Sequence, residues 1–137
     1  MATAAPAPIK RRPRRILIVE DDPISWRAMA DYLDAHGYTT LVAETGPDGL
    51  RRFHEDRPDL MLIDVQLPLK NGFELAFAVR QTPRGRDVPI LLMSAVYTDV
   101  DHASRYAESG LKAQGYLVKP VRLKKVLAQI KELLAES

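Results

Sequence analysis

The sequence contains no cysteine, which excludes disulfides, thiolate zinc sites and a cysteine nucleophile. Any metal must therefore bind through oxygen or histidine. The sequence also lacks an apolar run long enough to cross a membrane, a secretory signal at its start and a Walker A motif, which excludes a P-loop nucleotide site. We therefore expect a cytoplasmic protein.

The formal net charge of +2 hides an uneven distribution of charge. Near its start the chain has a segment rich in Ala, Pro and Arg with five basic residues, namely Lys10, Arg11, Arg12, Arg14 and Arg15. Without these five, 15 basic residues stand against 18 acidic ones. Charge alone could bring this segment to nucleic acid or anionic lipid. Its low apolar content is more typical of a solvated arm. We expect residues 1–13 to form a disordered basic tail and residues 14–137 to form one domain.

Short apolar runs alternate with amphipathic stretches along the rest of the chain, which is typical of repeated beta-alpha units and a parallel sheet. The predicted strands cover residues 15–19, 39–43, 59–63, 88–93 and 115–118. Most are continuous apolar runs, as expected for strands covered on both faces. The clearest predicted helices cover residues 23–36 and 121–135.

Three consecutive acids, Glu20, Asp21 and Asp22, follow the first predicted strand. Two unit charges about 4 Å apart repel by roughly 4 kcal/mol at a protein surface, so such a cluster needs a reason. Asp22 precedes Pro23 and fits a helix N-cap with proline at the first helical position. Glu20 and Asp21 remain at the carboxyl end of a strand, where open α/β sheets bind ligands. A cation there would compensate their charge.

Polar residues also follow the third, fourth and fifth predicted strands, namely Asp64, Ser94 and Lys119. If the first and third strands are neighbours, Asp64 lies beside Asp21 and adds an oxygen ligand of the kind Mg²⁺ prefers. Each acid alone would more often be a turn former or a cap. Acids that hold a metal, together with a hydroxyl and an ammonium that bind anionic oxygens, suit phosphoryl transfer.

This pattern resembles the receiver domain of bacterial response regulators over residues 15–135. The resemblance rests on Glu20-Asp21, on Asp64 with Pro68 and Gly72, on Ser94-Ala95, and on Tyr116 with Lys119-Pro120. It implies a doubly wound, flavodoxin-like α/β fold with five parallel strands in the order 2-1-3-4-5. It also implies a phosphoacceptor signalling domain that acts only on its own phosphoryl group, rather than an enzyme.

The resemblance assigns roles to the acids. Asp64 would accept a phosphoryl group from a sensor histidine kinase or a phosphotransfer protein. Mg²⁺ would bind directly to Asp21, to Asp64 and to the backbone carbonyl of Gln66. Glu20 would act on the metal through a bound water.

Three further residues would respond to the phosphoryl group. Lys119 would pair first with Asp64 and then with a phosphoryl oxygen, and the Ser94 hydroxyl would close on the phosphate. Tyr116 would be the switch aromatic that turns inward when Ser94 moves, although it could also be an ordinary packed aromatic. The family also implies a cis peptide before Pro120.

The sequence departs from the family pattern between strands four and five, where residues 94–116 are longer than usual. The output surface could be the family's common face, formed by the fourth helix, fifth strand and fifth helix, with a phosphorylation-dependent dimer. It could also be a surface of its own, with Tyr97, Tyr106 and Lys112 as contacts. Because no helix-turn-helix or other output domain follows, we expect a separate effector protein to receive the signal.

Other functions fit the sequence less well. A flavodoxin-type FMN site needs a hydroxyl- and glycine-rich loop where this chain has acids. A phosphatase of the haloacid dehalogenase type needs a second aspartate where Gln66 stands. The serious alternative is a receiver-like interaction module that binds partners without being phosphorylated.

Overall fold

The computed structural model describes residues 12–95 and 113–135. Within these residues, five parallel strands form one sheet in the order β2-β1-β3-β4-β5. The strands are β1 Arg15–Val19, β2 Thr39–Ala43, β3 Leu60–Asp64, β4 Ile90–Ser94 and β5 Gly115–Val118. This order confirms the predicted doubly wound α/β fold.

Helices connect the strands and cover the sheet. They are α1 Pro23–Ala35, α2 Gly46–Asp56, α3 Gly72–Arg80 and a C-terminal helix Leu123–Leu133, with a short 3₁₀ turn at Arg84–Arg86. In the described part of the chain, no helix combines the length and the apolar content that a membrane span requires. Residues 1–11 of the predicted tail, and the proposed contacts Tyr97, Tyr106 and Lys112, lie outside the described residues.

Two strand boundaries were predicted wrongly. The third strand begins at Leu60 rather than at residue 59, because the Asp59 side chain accepts a hydrogen bond from the Arg15 backbone N–H (2.8 Å) just before the ladder. The fourth strand runs over Ile90–Ser94 rather than 88–93. Pro89 has no N–H to give to the ladder, although its carbonyl accepts a bond from the Met61 N–H (2.9 Å).

Both predicted helices are slightly too long. The first ends at Ala35 rather than residue 36. The last begins at Leu123 because Arg122 has extended backbone angles, and it ends at Leu133. Ala135, which follows, lies in the left-handed region at φ 52°. Differences of this size are usual at frayed helix ends.

The core has two halves, one on each face of the sheet. Because side chains alternate along a strand, Leu17 and Val19 of β1 pack with α2 and α3, whereas Ile16 and Ile18 pack with α1 and the C-terminal helix. The same alternation continues along β3 and β4. Strand alternation therefore sets the face on which Glu20, directly after β1, and Asp64, at the end of β3, will lie.

Candidate functional site

The carboxyl ends of β1, β3 and β5 bring three charged residues to one face of the sheet. Val19 pairs with Ile63, so Glu20 and Asp64 are the next residues along the two neighbouring strands. By alternation both point to the face covered by α1 and the C-terminal helix. Leu117 packs on that face, so Lys119, two residues later, points the same way.

The Lys119 ammonium contacts both acids. Its Nζ donates hydrogen bonds to Glu20 Oε1 and to Asp64 Oδ2, each at 2.9 Å. The Glu20 side chain is 1% exposed and that of Asp64 is 5% exposed, whereas the Lys119 side chain is 27% exposed. The cation therefore closes the site from the solvent side, over two buried carboxylates.

Burial dominates the electrostatics of this group. Burial, helped by the neighbouring Asp64 carboxylate, raises the pKa of Glu20 from 4.5 to about 7, although the hydrogen bond from Lys119 lowers it. Burial alone would lower the pKa of Lys119, but its hydrogen bonds to Glu20 and Asp64 outweigh that effect and raise it. Lys119 is therefore charged at neutral pH, whereas Glu20 is close to its titration midpoint.

The structure separates the three consecutive acids. Asp22 is the N-cap of α1, as predicted: its carboxylate accepts bonds from the Ile24 N–H (3.3 Å) and the Ser25 hydroxyl (2.9 Å). The bond from Ser25 holds the pKa of Asp22 below its usual value. Asp22 is thus accounted for by helix capping, and Glu20 and Asp21 remain for other chemistry.

Glu20, Asp21 and Asp64 form a group that could hold a metal ion. Each can offer one carboxylate oxygen, and these oxygens lie within 4.8 Å of one another. The second oxygen of Glu20, Oε2, is buried and has no hydrogen-bond partner in the described part of the chain. A buried, unpartnered carboxylate oxygen is costly unless a cation or an ordered water meets it. The donor set, which is all oxygen, fits Mg²⁺.

The loop after β3 holds the Asp64 carboxylate in place. Asp64 Oδ1 accepts a hydrogen bond from the Gln66 N–H (3.1 Å), and the Gly72 N–H bonds to the Val65 carbonyl (2.8 Å). Gly72 packs so closely that an added Cβ would lie 2.3 Å from the Asp64 carbonyl oxygen. A glycine is therefore required where α3 begins.

Of the residues expected to respond to the phosphoryl group, Tyr116 lies on the other face. Leu117 packs on the face of α1, so its neighbour Tyr116 points to the opposite face of β5. Ser94 is the last residue of β4 and pairs with Val118. Tyr116 is 40% exposed, and its partial burial raises its pKa. The structure therefore brings Glu20, Asp21, Asp64 and Lys119 together but does not place Tyr116 among them.

Ser94 and Lys119 are nonetheless connected through the backbone. The Lys119 N–H donates to the Ser94 carbonyl at 2.8 Å, which continues the β4–β5 ladder by one step. The peptide between Lys119 and Pro120 is cis, which confirms that prediction.

Sequence reasoning missed a cavity of about 350 Å³ beside the acids. Its wall combines Glu20 and Lys119 with apolar side chains from α1 and from the start of the C-terminal helix, including Ile24, Met29 and Leu123. The cavity exists only because two helices remote in sequence meet over the same strand ends. No local motif could have indicated it.

Comparisons with known proteins agree with this geometry. The family model described as "Response regulator receiver domain" matches residues 16–131. The polar-differentiation response regulator DivK of Brucella anthropi is 30% identical over 125 residues, which cover 91% of this chain and 99% of that protein. The transcriptional regulatory protein AfsQ1 of Streptomyces coelicolor is 37% identical over 119 residues, 87% of this chain but 50% of that protein.

Solved structures share the fold. A CheY-like receiver domain protein of Methanospirillum hungatei superposes with a TM-score of 0.82 at 27% identity, covering 90% of this chain and 95% of that one. The receiver domain of the sensor histidine kinase PA1611 of Pseudomonas aeruginosa, solved with a magnesium ion in its active-site cleft, has a TM-score of 0.80 at 23% identity and covers 91% and 100% of the two chains. From its family match and its relatives, this chain belongs to the response regulator receiver domain family of two-component systems.

Proposed function

We propose that this receiver domain is a phosphoacceptor in which Asp64 takes a phosphoryl group from a phosphohistidine of a sensor histidine kinase or a phosphotransfer protein. The observation that carries the proposal is the contact of Lys119 Nζ with Asp64 Oδ2 at 2.9 Å, within a buried acidic group. In the transfer the nitrogen–phosphorus bond breaks, an Asp64 oxygen–phosphorus bond forms, and the donor imidazole leaves.

Lys119 keeps its positive charge throughout, because two acids raise its pKa. It first holds the Asp64 carboxylate and then neutralises a phosphoryl oxygen, which places fixed charge where negative charge accumulates. Ser94 ends β4 beside Val118, the residue before Lys119, and its hydroxyl closes on the phosphate after transfer. Tyr116 then turns from its partly exposed position towards the space that Ser94 vacates.

Asp21 and Asp64, with the Gln66 carbonyl, would hold Mg²⁺ directly, and Glu20 would hold it through a water. When bound, the ion supplies charge neutralisation and orientation of the phosphoryl oxygens. The buried, unpartnered Glu20 Oε2 and the three converging carboxylates support this assignment. The magnesium ion in the cleft of the PA1611 receiver domain, which shares the fold, is consistent with it.

We propose that the phosphorylated domain acts on a separate effector protein, through the face that includes β5 and the C-terminal helix and with dimer formation as one mode of output. An interaction module that is never phosphorylated is the alternative. The two differ in one measurable property, which is whether Asp64 accepts a phosphoryl group.

The test is incubation with acetyl phosphate and Mg²⁺, followed by intact mass and peptide mapping. We expect a gain of one phosphoryl group at Asp64, lost on addition of EDTA and absent in Asp64→Asn. The matched control is Asp31→Asn, which changes an exposed acid on α1 and should label normally. Labelling that persists in Asp64→Asn would refute the site, and an unlabelled wild type would favour the interaction module.

A further inference from the structure

Arg80, the last residue of α3, is a buried cation outside the acidic site. It is 7% exposed, and burial lowers its pKa. Its Nη1 donates to the carbonyl oxygens of Gly85 (2.7 Å) and Val88 (2.6 Å), in the segment that leads into β4. Its Nη2 donates to Gln114 Oε1 at 3.0 Å. One side chain thus joins α3, the entry to β4 and the residue that precedes β5.

Gln114 completes a small network. Its Oε1 also accepts a bond from the Ile90 N–H (2.7 Å), and its own N–H donates to the Ile90 carbonyl (2.9 Å). Gln114 therefore binds the first residue of β4 through both its backbone and its side chain. The guanidinium of Arg80 fixes the orientation of that side-chain amide, because it approaches the same oxygen.

The register of β5 needs such a fixed point. Within the residues that the structure describes, β5 is an edge strand of four residues that pairs with β4 alone. Leu117 is its one buried side chain, whereas Tyr116 and Val118 are exposed. A strand with so little buried on one face specifies its register weakly through hydrophobic pattern.

A slip of β5 by one residue would disable the site. It would move Lys119 by about 3.3 Å along the strand and reverse the face to which every side chain points. Lys119 would then leave the face of Glu20 and Asp64. The 2.9 Å contacts of Lys119 therefore depend on the register that begins at Gln114.

We propose that the Arg80–Gln114 contact is a register lock for β5, and that both are positioning residues which hold Lys119 against Asp64. A buried arginine is an expensive way to join elements that apolar side chains could join, unless its directional hydrogen bonds are needed. Only the catalytic consequence of the lock depends on the phosphoacceptor function proposed above, since the register itself is a property of the fold.

The test compares four variants at equal folded fraction, set with small additions of urea. Arg80→Met and Gln114→Met remove the polar contacts at similar volume. Gln114→Glu keeps an oxygen that can accept from both Arg80 and Ile90. Val79→Ala, a buried change one residue from Arg80, is the control for general destabilisation.

Amide hydrogen exchange in residues 115–119 is measured without metal or phosphodonor, and labelling of Asp64 by acetyl phosphate is measured separately. In both Met variants we expect the amides of residues 115–119 to exchange about tenfold faster than in Val79→Ala, which corresponds to the loss of one hydrogen bond to a charged group. We expect Asp64 to be labelled more slowly than in Val79→Ala by a similar factor. Gln114→Glu should keep most of the slow amide exchange in residues 115–119 and most of the labelling rate of Asp64.

Exchange that is no faster in the Met variants than in Val79→Ala would overturn the lock, as would equal effects of Gln114→Met and Gln114→Glu. If wild type is not labelled but exchange changes as expected, the lock stands and the phosphoacceptor proposal fails. If wild type is labelled and the Met variants are labelled at its rate despite faster exchange, the positioning role is refuted.

Discussion

Glu20 gives the sharpest test of the electrostatics at the acidic site. Its pKa rises from 4.5 in an unfolded chain to about 7 in the fold, chiefly through burial. Between these two values the folded protein binds more protons than the unfolded one, so the free energy of unfolding must fall as the pH rises. One pKa unit corresponds to about 1.4 kcal/mol, so metal-free protein should lose about 3 kcal/mol from this group between pH 4.5 and 7.

The variant Glu20→Gln removes this titration and keeps the shape of the side chain. The assay is urea unfolding in EDTA at pH 5 and pH 8, for wild type and variant. Titrations that the two proteins share cancel in the difference, as does any constant loss from the weaker contact with Lys119. Between pH 5 and pH 8 we expect the free energy of unfolding of wild type to fall by about 2 to 3 kcal/mol more than that of Glu20→Gln.

Mg²⁺ should oppose this effect, because a bound cation favours the ionised carboxylate. In saturating Mg²⁺ we therefore expect wild type to lose less of its free energy of unfolding between pH 5 and pH 8 than it does in EDTA. The pH dependence of Glu20→Gln should change little. Equal pH dependence of the two proteins in EDTA would refute the claim that Glu20 carries the raised pKa. An effect of the same size with and without Mg²⁺ would refute the metal site at Glu20.

Three further predictions concern single residues. Lys119→Met should lower the free energy of unfolding of the metal-free protein by about 3 to 5 kcal/mol, because it leaves two buried carboxylates without their cation. Urea unfolding at pH 8 measures this, and a loss below about 1 kcal/mol would contradict that view. Ser94→Ala should still accept a phosphoryl group. When beryllofluoride binds, however, the amide exchange of residues 97–118 should change less in this variant than in wild type. A change as large as in wild type would exclude the Ser94 hydroxyl as the trigger. Asp22→Ala should cost about 1 kcal/mol of stability through the lost N-cap and leave the labelling rate unchanged, whereas slower labelling would give Asp22 a role in the site.

The sequence predicted the fold well because its signals are local. Continuous apolar runs identify buried parallel strands, and Asp22-Pro23 identifies the start of α1 before any contact is known. The errors fall where a local pattern meets a tertiary contact. Residue 59 reads as part of a strand, but its carboxylate is used to bind the backbone of Arg15, 44 residues away.

The acidic site was predictable for a different reason. Once the order of strands is given, alternation alone places Glu20, Asp64 and Lys119 on one face and Tyr116 on the other. The Arg80–Gln114 contact has no such signal, because the two residues are 34 positions apart and neither follows a strand. An arginine at the end of a helix is usually solvated, and its burial here depends on the turn at residues 84–88.

The position of Lys119 directly after an edge strand distinguishes it from the two acids, which lie at the ends of central strands. Glu20 directly follows β1 and Asp64 is the last residue of β3. Each of these strands pairs with strands on both sides, so the acids cannot shift without breaking the centre of the sheet. In the described part of the chain β5 pairs on one side only. In the proposed mechanism, its carboxyl end would therefore be free to follow a phosphoryl oxygen while its amino end stays bound through Gln114. Because Tyr116 lies on the opposite face of β5, which Lys119 directly follows, we expect any movement of Lys119 to move Tyr116 as well. The edge position thus connects charge on one face of the sheet with the exposed aromatic on the other.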